Sequence, residues 1–240
     1  PAAAGITLRQ LLSHTSGLLD YEDLMDPADT RQVHDADVLA LLAREDRLAF
    51  APGTQYRYSN SGYALLALIV GRAAGSDFAS FLQQRIFQPL GMAHTVAHQA
   101  GVDQVAQRAY GYSEVDGRWQ RTDQSTTSAV LGDGGIYSSL DDLARWDAAL
   151  YDDRLLSAAS RKAMFSPATA TTEADVPHYG FGWRLNGRMH WHSGESIGFR
   201  NVILRYPDKH LTVIVLSNRN APEPYPLALK IAQRWLDTLQ

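Results

Sequence analysis

Pro52-Gly-Thr-Gln-Tyr-Arg-Tyr58-Ser59-Asn60-Ser-Gly-Tyr63-Ala-Leu-Leu66 is the stretch that decides the fold. Ala51-Pro52-Gly53 has turn chemistry, because Pro presets φ and Gly tolerates positive φ. Ser59 or Asn60 can then cap a helix that runs through Leu65, Leu66, Ile69 and Val70 and stops at Gly75. The apolar run Tyr63–Val70 is far shorter than the roughly 18 residues a transmembrane helix needs, and reads as a buried helix. Taken alone, Tyr58-Ser59-Asn60 is a weak tripeptide whose plainest meaning is a tyrosine in a turn followed by an N-cap. Its weight comes from what lies around it and from His192-Ser193-Gly194, far downstream.

Working outward, the first two thirds read as helices and loops. Thr7 and Gln10 form a capping box ahead of Leu8, Leu11 and Leu12, with Gly17 suited to a helix stop. Asp35–Glu45 carries Val38, Leu41 and Leu42 at helical spacing. Ser76 can cap a helix with Phe78, Phe81, Leu82 and Ile86 inward, and Ser139 with Asp142 can start another through Leu143 and Trp146. After about Thr172 the period changes from 3.6 to 2. Tyr179–Leu185 and Arg188–His192 flank Asn186-Gly187, a strong hairpin signal. Phe199–Tyr206 and Leu211–Ser217 flank a Pro207-Asp208 turn. The strand from Leu211 to Leu216 is apolar on both faces, so both should be covered. Leu227, Ile231, Trp235 and Leu239 make an i+4 stripe on a final helix expected to cover one of them. The expected organisation is thus a mostly helical lobe over 1–172 and an antiparallel sheet with a C-terminal helix over 173–240, acting as one unit.

Bulk numbers exclude several classes. A net charge of −4 gives no electrostatic case for nucleic acid or an anionic membrane. The absence of cysteine rules out disulfides, thiolate metal sites and a Cys nucleophile, without fixing the compartment. No run of the chain is apolar enough for a membrane segment.

Further segments join the opening one in order. They are Ile6-Thr-Leu-Arg-Gln-Leu-Leu-Ser-His-Thr-Ser-Gly-Leu18, Pro89-Leu-Gly-Met92 and Gly134-Gly-Ile-Tyr-Ser-Ser-Leu-Asp-Asp-Leu-Ala144. Together they cover nearly the whole chain, which resembles the serine penicillin-recognising hydrolases: class C β-lactamases, DD-peptidases, D-aminopeptidases and related esterases. The resemblance implies an α+β, β-lactamase/transpeptidase-like fold, a helical lobe packed on an antiparallel sheet with flanking helices. It implies hydrolysis through an acyl-enzyme of a β-lactam, D-amino-acid peptide or small ester. No cofactor is implied. The expected partner is a small-molecule or peptide substrate, and a periplasmic or secreted location is favoured by the resemblance only.

The same resemblance assigns roles. Tyr58 matches the motif tyrosine that shares with a helix lysine the deprotonation of the serine. A phenol with a pKa near ~10 serves as base only where cations stabilise its phenolate, here the lysine and a protonated His192. Asn60 matches the residue that bonds the acyl side of the substrate. His192-Ser193-Gly194 stands where β-lactamases have Lys-Thr-Gly, although any single His on a strand is more commonly a solvent-edge residue. Ser193 and Gly194 would bind substrate along the strand, and the Glu195 backbone N–H would be one oxyanion donor. The third motif, Ser-x-x-Lys, does not occur. The lysines are Lys162, Lys209 and Lys230, preceded three positions earlier by Ala159, Tyr206 and Leu227. The resemblance implies that the nucleophile helix and the N-terminal strands would precede Pro1. The alternative is a catalytically inactive ligand-binding fragment or pseudoenzyme of the same fold.

Three other patterns carry rival chemistry. Gly194-Glu-Ser196-Ile-Gly198 matches the nucleophile elbow, which needs strand, turn and helix. Here a strand is expected after it. His190-x-His192 and His94-x-x-x-His98 have ligand spacing without a clear third partner, so no metal site is expected. Gly132-Asp-Gly-Gly135 lacks the Lys-Ser/Thr of a phosphate loop, and the resemblance makes it a turn on the cleft floor.

Overall fold

The computed structural model describes residues 3–238; Leu239 of the C-terminal stripe lies outside the described residues. The helices are α1 (Leu8–Leu12), α2 (Asp35–Leu42), α3 (Asn60–Ala74), α4 (Phe78–Leu82), α5 (Leu140–Ala149), α6 (Ala158–Met164) and α7 (Tyr225–Thr238). The strands are β1 (Val96–Ala97), β2 (Tyr112–Val115), β3 (Arg118–Arg121), β4 (Ile136–Tyr137), β5 (Thr169–Glu173), β6 (Val176–Tyr179), β7 (Arg184–Asn186), β8 (Met189–Ser196), β9 (Phe199–Tyr206) and β10 (Leu211–Ser217). The last six form one antiparallel sheet in the order β10-β9-β8-β7-β6-β5, while β1 pairs with β4 and β2 with β3 inside the helical part.

Local chemistry sets most element ends. Thr7 and Gln10 close a reciprocal box at the start of α1, with the Thr7 N–H donating to Gln10 Oε1 at 2.8 Å. That helix stops at Ser13, not at Gly17. Gly17 sits at φ 76° in the following loop, where a Cβ would fall 2.1 Å from the Phe50 carbonyl oxygen. α3 begins after Ser59 and ends at Gly75, which is left-handed at φ 67°. Asp77 rather than Ser76 caps α4, its carboxylate accepting from the Ser80 N–H at 2.8 Å. Ser139 caps α5 by accepting from the Asp142 N–H.

The sheet is covered on both faces. Val202 and Leu204 of β9, Val213 of β10 and Met189 and Trp191 of β8 pack with Ala228 and Ala232 of α7. Fully burying side chains of this size contributes roughly 1.5–3 kcal/mol each. On the opposite face, Ile203 and Leu185 meet Trp183, Leu150, Trp146 and Phe165, which tie the sheet to α5 and α6. Arg205 is buried there at 1% exposure, bonded to Asp147 of α5, and Thr212 donates to the other Asp147 oxygen at 3.0 Å.

Two expectations about helix faces are overturned. The stripe expected to cover the sheet points away from it: Leu227 is 52% exposed and Trp235 59%. Small Ala228 and Ala232 let α7 lie close on the sheet, and side-chain volume outranks hydrophobicity at that separation. In α3, Ser61, Gly62, Ala64 and Ala67 are the buried residues and Ile69 is exposed. Close approach again explains it, since a Cβ on Gly132 would lie 2.3 Å from the Tyr63 carbonyl oxygen.

The strands differ from expectation at several places. Tyr179–Leu185 is not one strand: β6 ends at Tyr179, and the chain turns through Gly180 and Gly182 before β7. A Cβ on Gly180 would fall 2.3 Å from the Met164 carbonyl oxygen, so the turn is held against α6. The sheet begins at Thr169, three positions before the expected change of period.

Candidate active site

The loop into α3 and the end of β8 come together at the surface, where a shallow cleft would open toward solvent. The rings of Tyr58 and His192 are 6.2 Å apart between centroids, and Tyr58 stays 37% exposed at the cleft. Asn60 opens α3 beside them. Its N–H donates to Asp20 Oδ2 at 2.9 Å and its amide to Glu22 Oε1 at 3.3 Å.

Strand β8 runs past the cleft with one free edge. Its pairing with β7 ends at Trp191↔Arg184, whereas its pairing with β9 continues from His190 to Ser196. A two-residue turn, Ile197-Gly198, joins β8 to β9 and makes Ser196 and Phe199 a hydrogen-bonded pair. Antiparallel alternation then turns the N–H and C=O groups of Ser193 and Glu195 away from β9, toward the open edge. Gly194 lies between them without a side chain on the exposed strand. The Glu195 side chain is held outward by Arg200 at 2.5 Å. Ser193 Oγ accepts from Arg184 Nη1 at 2.7 Å.

Beneath the two motifs runs a buried chain of hydrogen bonds. His192 Nδ1 is 2.8 Å from the Ser193 carbonyl oxygen, which accepts only, so Nδ1 carries the proton. On the neutral ring Nε2 is then bare and accepts from the Tyr179 hydroxyl at 3.1 Å. Tyr179 Oη in turn accepts from His14 Nε2–H at 3.1 Å, and His14 Nδ1 accepts from the Ser59 N–H at 3.2 Å. The His14 ring also lies tilted against Tyr58, 4.2 Å between centroids at an interplanar angle of 34°.

Burial governs the protonation of these groups. It pushes His192 down to about 4, with nearby Arg184 adding to the fall. His14 falls to about 3 through burial, then the neighbouring His192. Both shifts favour the neutral imidazole, whereas the sequence reading gave His192 its cation role only in the protonated form. Burial pushes the Tyr58 phenol up, Arg184 pulls it down, and Asp133, Asp20 and Glu22 raise it. Asp133, whose carboxylate accepts from the Tyr21 hydroxyl at 2.9 Å, is raised to about 7 by burial and then by the carboxylates around it. Beyond Glu22 an open groove of about 400 Å³ is lined by Met25, Asp26, Asp29, Thr30 and Thr126.

The rival patterns fall to other roles. Ser196 is the last residue of β8, followed by a turn and a strand, so the elbow geometry is missing. His190 stacks on Phe165 at 4.8 Å, and His98 pairs with Asp103 while His94 and His98 share no helix. Among the described residues no three His, Asp or Glu side chains are placed to hold a metal ion. No single described helix is long and apolar enough to cross a membrane. His14, Tyr179, Arg184 and Asp133 had no assigned role in the sequence. His14 was visible only as part of Leu12-Ser-His-Thr-Ser-Gly17, and Arg184 lay in what read as a plain strand.

Comparison with known proteins places the chain in a family. The sequence profile described as Beta-lactamase matches residues 1–234. Penicillin-binding protein 4* of Bacillus subtilis is 34% identical over 97% of this chain and 56% of its own length. A D-aminopeptidase of Brucella anthropi is 29% identical over 88% of this chain and 41% of its own. The chain thus spans about half the length of these curated relatives. The crystal structure of a penicillin-binding protein from Bacillus halodurans superposes with a TM-score of 0.80 at 24% identity, over 97% of this chain and 73% of that one, and shows the shared fold.

Proposed function

The chain belongs to the beta-lactamase family, and from that premise we propose that the protein is a serine acyl hydrolase whose substrates are D-amino-acid peptides or amides, ahead of β-lactams and small esters. The observation that carries this reading is the approach of Tyr58 to His192, 6.2 Å between rings, at a strand whose edge beyond Trp191 no longer pairs with β7. Tyr58 takes the proton of the attacking hydroxyl. Asn60 bonds the acyl side of the substrate, and Ser193 and Gly194 bind it along the strand. The Glu195 N–H, aimed at the open edge, stabilises the oxyanion. The substrate preference is inferred from Asp20 and Glu22, which bond Asn60 and bring negative charge beside it that would suit a free ammonium on an amino-acyl group. D-aminopeptidases among the relatives agree with it.

The nucleophile is proposed to come from outside residues 1–240, in a Ser-x-x-Lys pair, for two reasons. No such pair occurs in this sequence. Tyr58 has its phenol raised by burial, and needs a further cation such as that lysine to act as base. The competing reading, a ligand-binding pseudoenzyme, draws on the same lack of a nucleophile.

The test is hydrolysis of D- and L-amino-acid anilides, free or N-acetylated, by protein expressed with its encoded upstream sequence. Free D-amino acyl groups are expected to turn over fastest, and Tyr58→Phe to lower kcat by about 10²–10⁴. No hydrolysis of any of them would favour the binding module. Activity untouched by Tyr58→Phe would remove Tyr58 from the site.

A further inference from the structure

We propose that Arg184, and not His192, is the cation through which the motif strand acts on Tyr58, a positioning residue whose charge stabilises the Tyr58 phenolate. The inference rests on the role given to Tyr58 above, and it reverses the part expected of His192.

The first ground is that His192 has no free nitrogen. Its Nδ1–H is spent on the Ser193 carbonyl at 2.8 Å and its Nε2 on the Tyr179 hydroxyl at 3.1 Å. A second proton on Nε2 would point at the hydroxyl proton of Tyr179. Tyr179 would have to turn that proton onto His14 Nε2, and His14 would have to move its own proton to Nδ1 and donate to the Ser59 carbonyl, 3.1 Å away. Charging His192 therefore needs three linked changes in a buried chain anchored on backbone groups at both ends.

The second ground is the placement of Arg184. It leaves β7 opposite Trp191, with its guanidinium 4.7 Å over the Trp191 ring and 5.7 Å from the Tyr58 ring centroid. Its Nη1 donates to Ser193 Oγ at 2.7 Å, while its Nε is buried without a partner. Arginine stays charged at every pH the protein survives. Facing Tyr58 from the other elements are Asp20 and Glu22 before α2, Asp133 before β4, and the neutral rings of His14, Tyr56, Tyr63 and Tyr179. Arg184 sets its charge against those three carboxylates, and Ser193 fixes its angle. The polar residue of the His-Ser-Gly triplet thereby gains a second task, holding the cation in place.

The test replaces Tyr58 with 3,5-difluorotyrosine, a more acidic phenol, and follows its ionisation by ¹⁹F NMR. Arg184→Gln is expected to raise the midpoint by about one to two units, the effect of losing a charge some 6 Å away in a partly wet site. Arg184→Lys is expected to recover part of that shift and guards against a folding defect in the first variant. His192→Gln is expected to move the midpoint by less than about 0.3 unit. Arg184→Gln and Arg184→Lys leaving the midpoint in place, or His192→Gln shifting it more than Arg184→Gln, would overturn the assignment. In the protein carrying native Tyr58, the pH profile of kcat/KM is expected to move to higher pH in Arg184→Gln. If the ¹⁹F shifts appear and that profile stays put, the charge assignment stands and the base role of Tyr58 fails.

Discussion

Asp133→Asn is expected to stabilise the protein above neutral pH and to leave its stability in acid unchanged. Asp133 is partly buried at the cleft floor, bonded to the Tyr21 hydroxyl at 2.9 Å. Burial, then Asp35, Glu22 and Asp20, raise its carboxyl from 3.8 to about 7. The folded state therefore holds this proton more tightly than the unfolded state does. Between pH 3.8 and about 7 it binds the larger share, so stability falls as pH rises and the loss is complete above about 7. The difference, 7 − 3.8, is about 3 units, or about 4 kcal/mol at 1.36 kcal/mol per unit. Solvent at the cleft screens part of it, which leaves about 2 kcal/mol. Asparagine keeps an oxygen for Tyr21 and cannot ionise. His14, His190 and His192 act in the opposite sense, since their folded values are depressed to about 3, 4 and 4 and their contribution is lost as pH falls below 6.5. They are common to both proteins and cancel in the comparison. The assay is urea unfolding of wild type and variant at pH 4 and pH 8.5. The stability difference is expected to grow by about 2 kcal/mol between the two conditions. An equal difference at both, or a variant less stable than wild type at pH 8.5, would refute the reasoning.

Two other outcomes test the frame around the site. Asp147→Asn is expected to cost about 3–5 kcal/mol, because it strands the Arg205 guanidinium in the interior, and to lower Tm by about 2–4 °C for each kcal/mol, as calorimetry would show. Ser196→Ala is expected to leave hydrolysis within a few-fold, whereas loss of a true nucleophile costs about 10⁶ in kcat.

Hairpin turns and several caps were legible in the sequence because their causes are local, although the cap of α4 and the stop of α1 were misplaced. The Asn186-Gly187 turn, the Thr7/Gln10 box and the bounds of β9 and β10 follow from residues within a few positions of one another. The break at Gly180 and the face of α7 were not, since each depends on a distant partner: the Met164 carbonyl in one case, the sheet surface in the other. Large apolar side chains at i+4 spacing suggested a core, and close packing chose Ala228 and Ala232 instead. Tyr58, Asn60 and His192 could be named from short motifs. The state of His192 could not, because it is set by Tyr179 and by His14, 178 positions upstream. A lone arginine in a strand likewise carries no mark of the phenol it will face.

The central proposal is that these 240 residues hold the substrate-binding half of an acyl-transfer site whose nucleophile lies beyond them. Intact-protein mass spectrometry after incubation with a reactive β-lactam tests it most directly, on this chain alone and on protein with its encoded upstream sequence. The account predicts no covalent adduct on residues 1–240, and in the longer protein one acyl group on a serine ahead of Pro1. A stoichiometric adduct on any residue of this chain, or none on either protein, would contradict it.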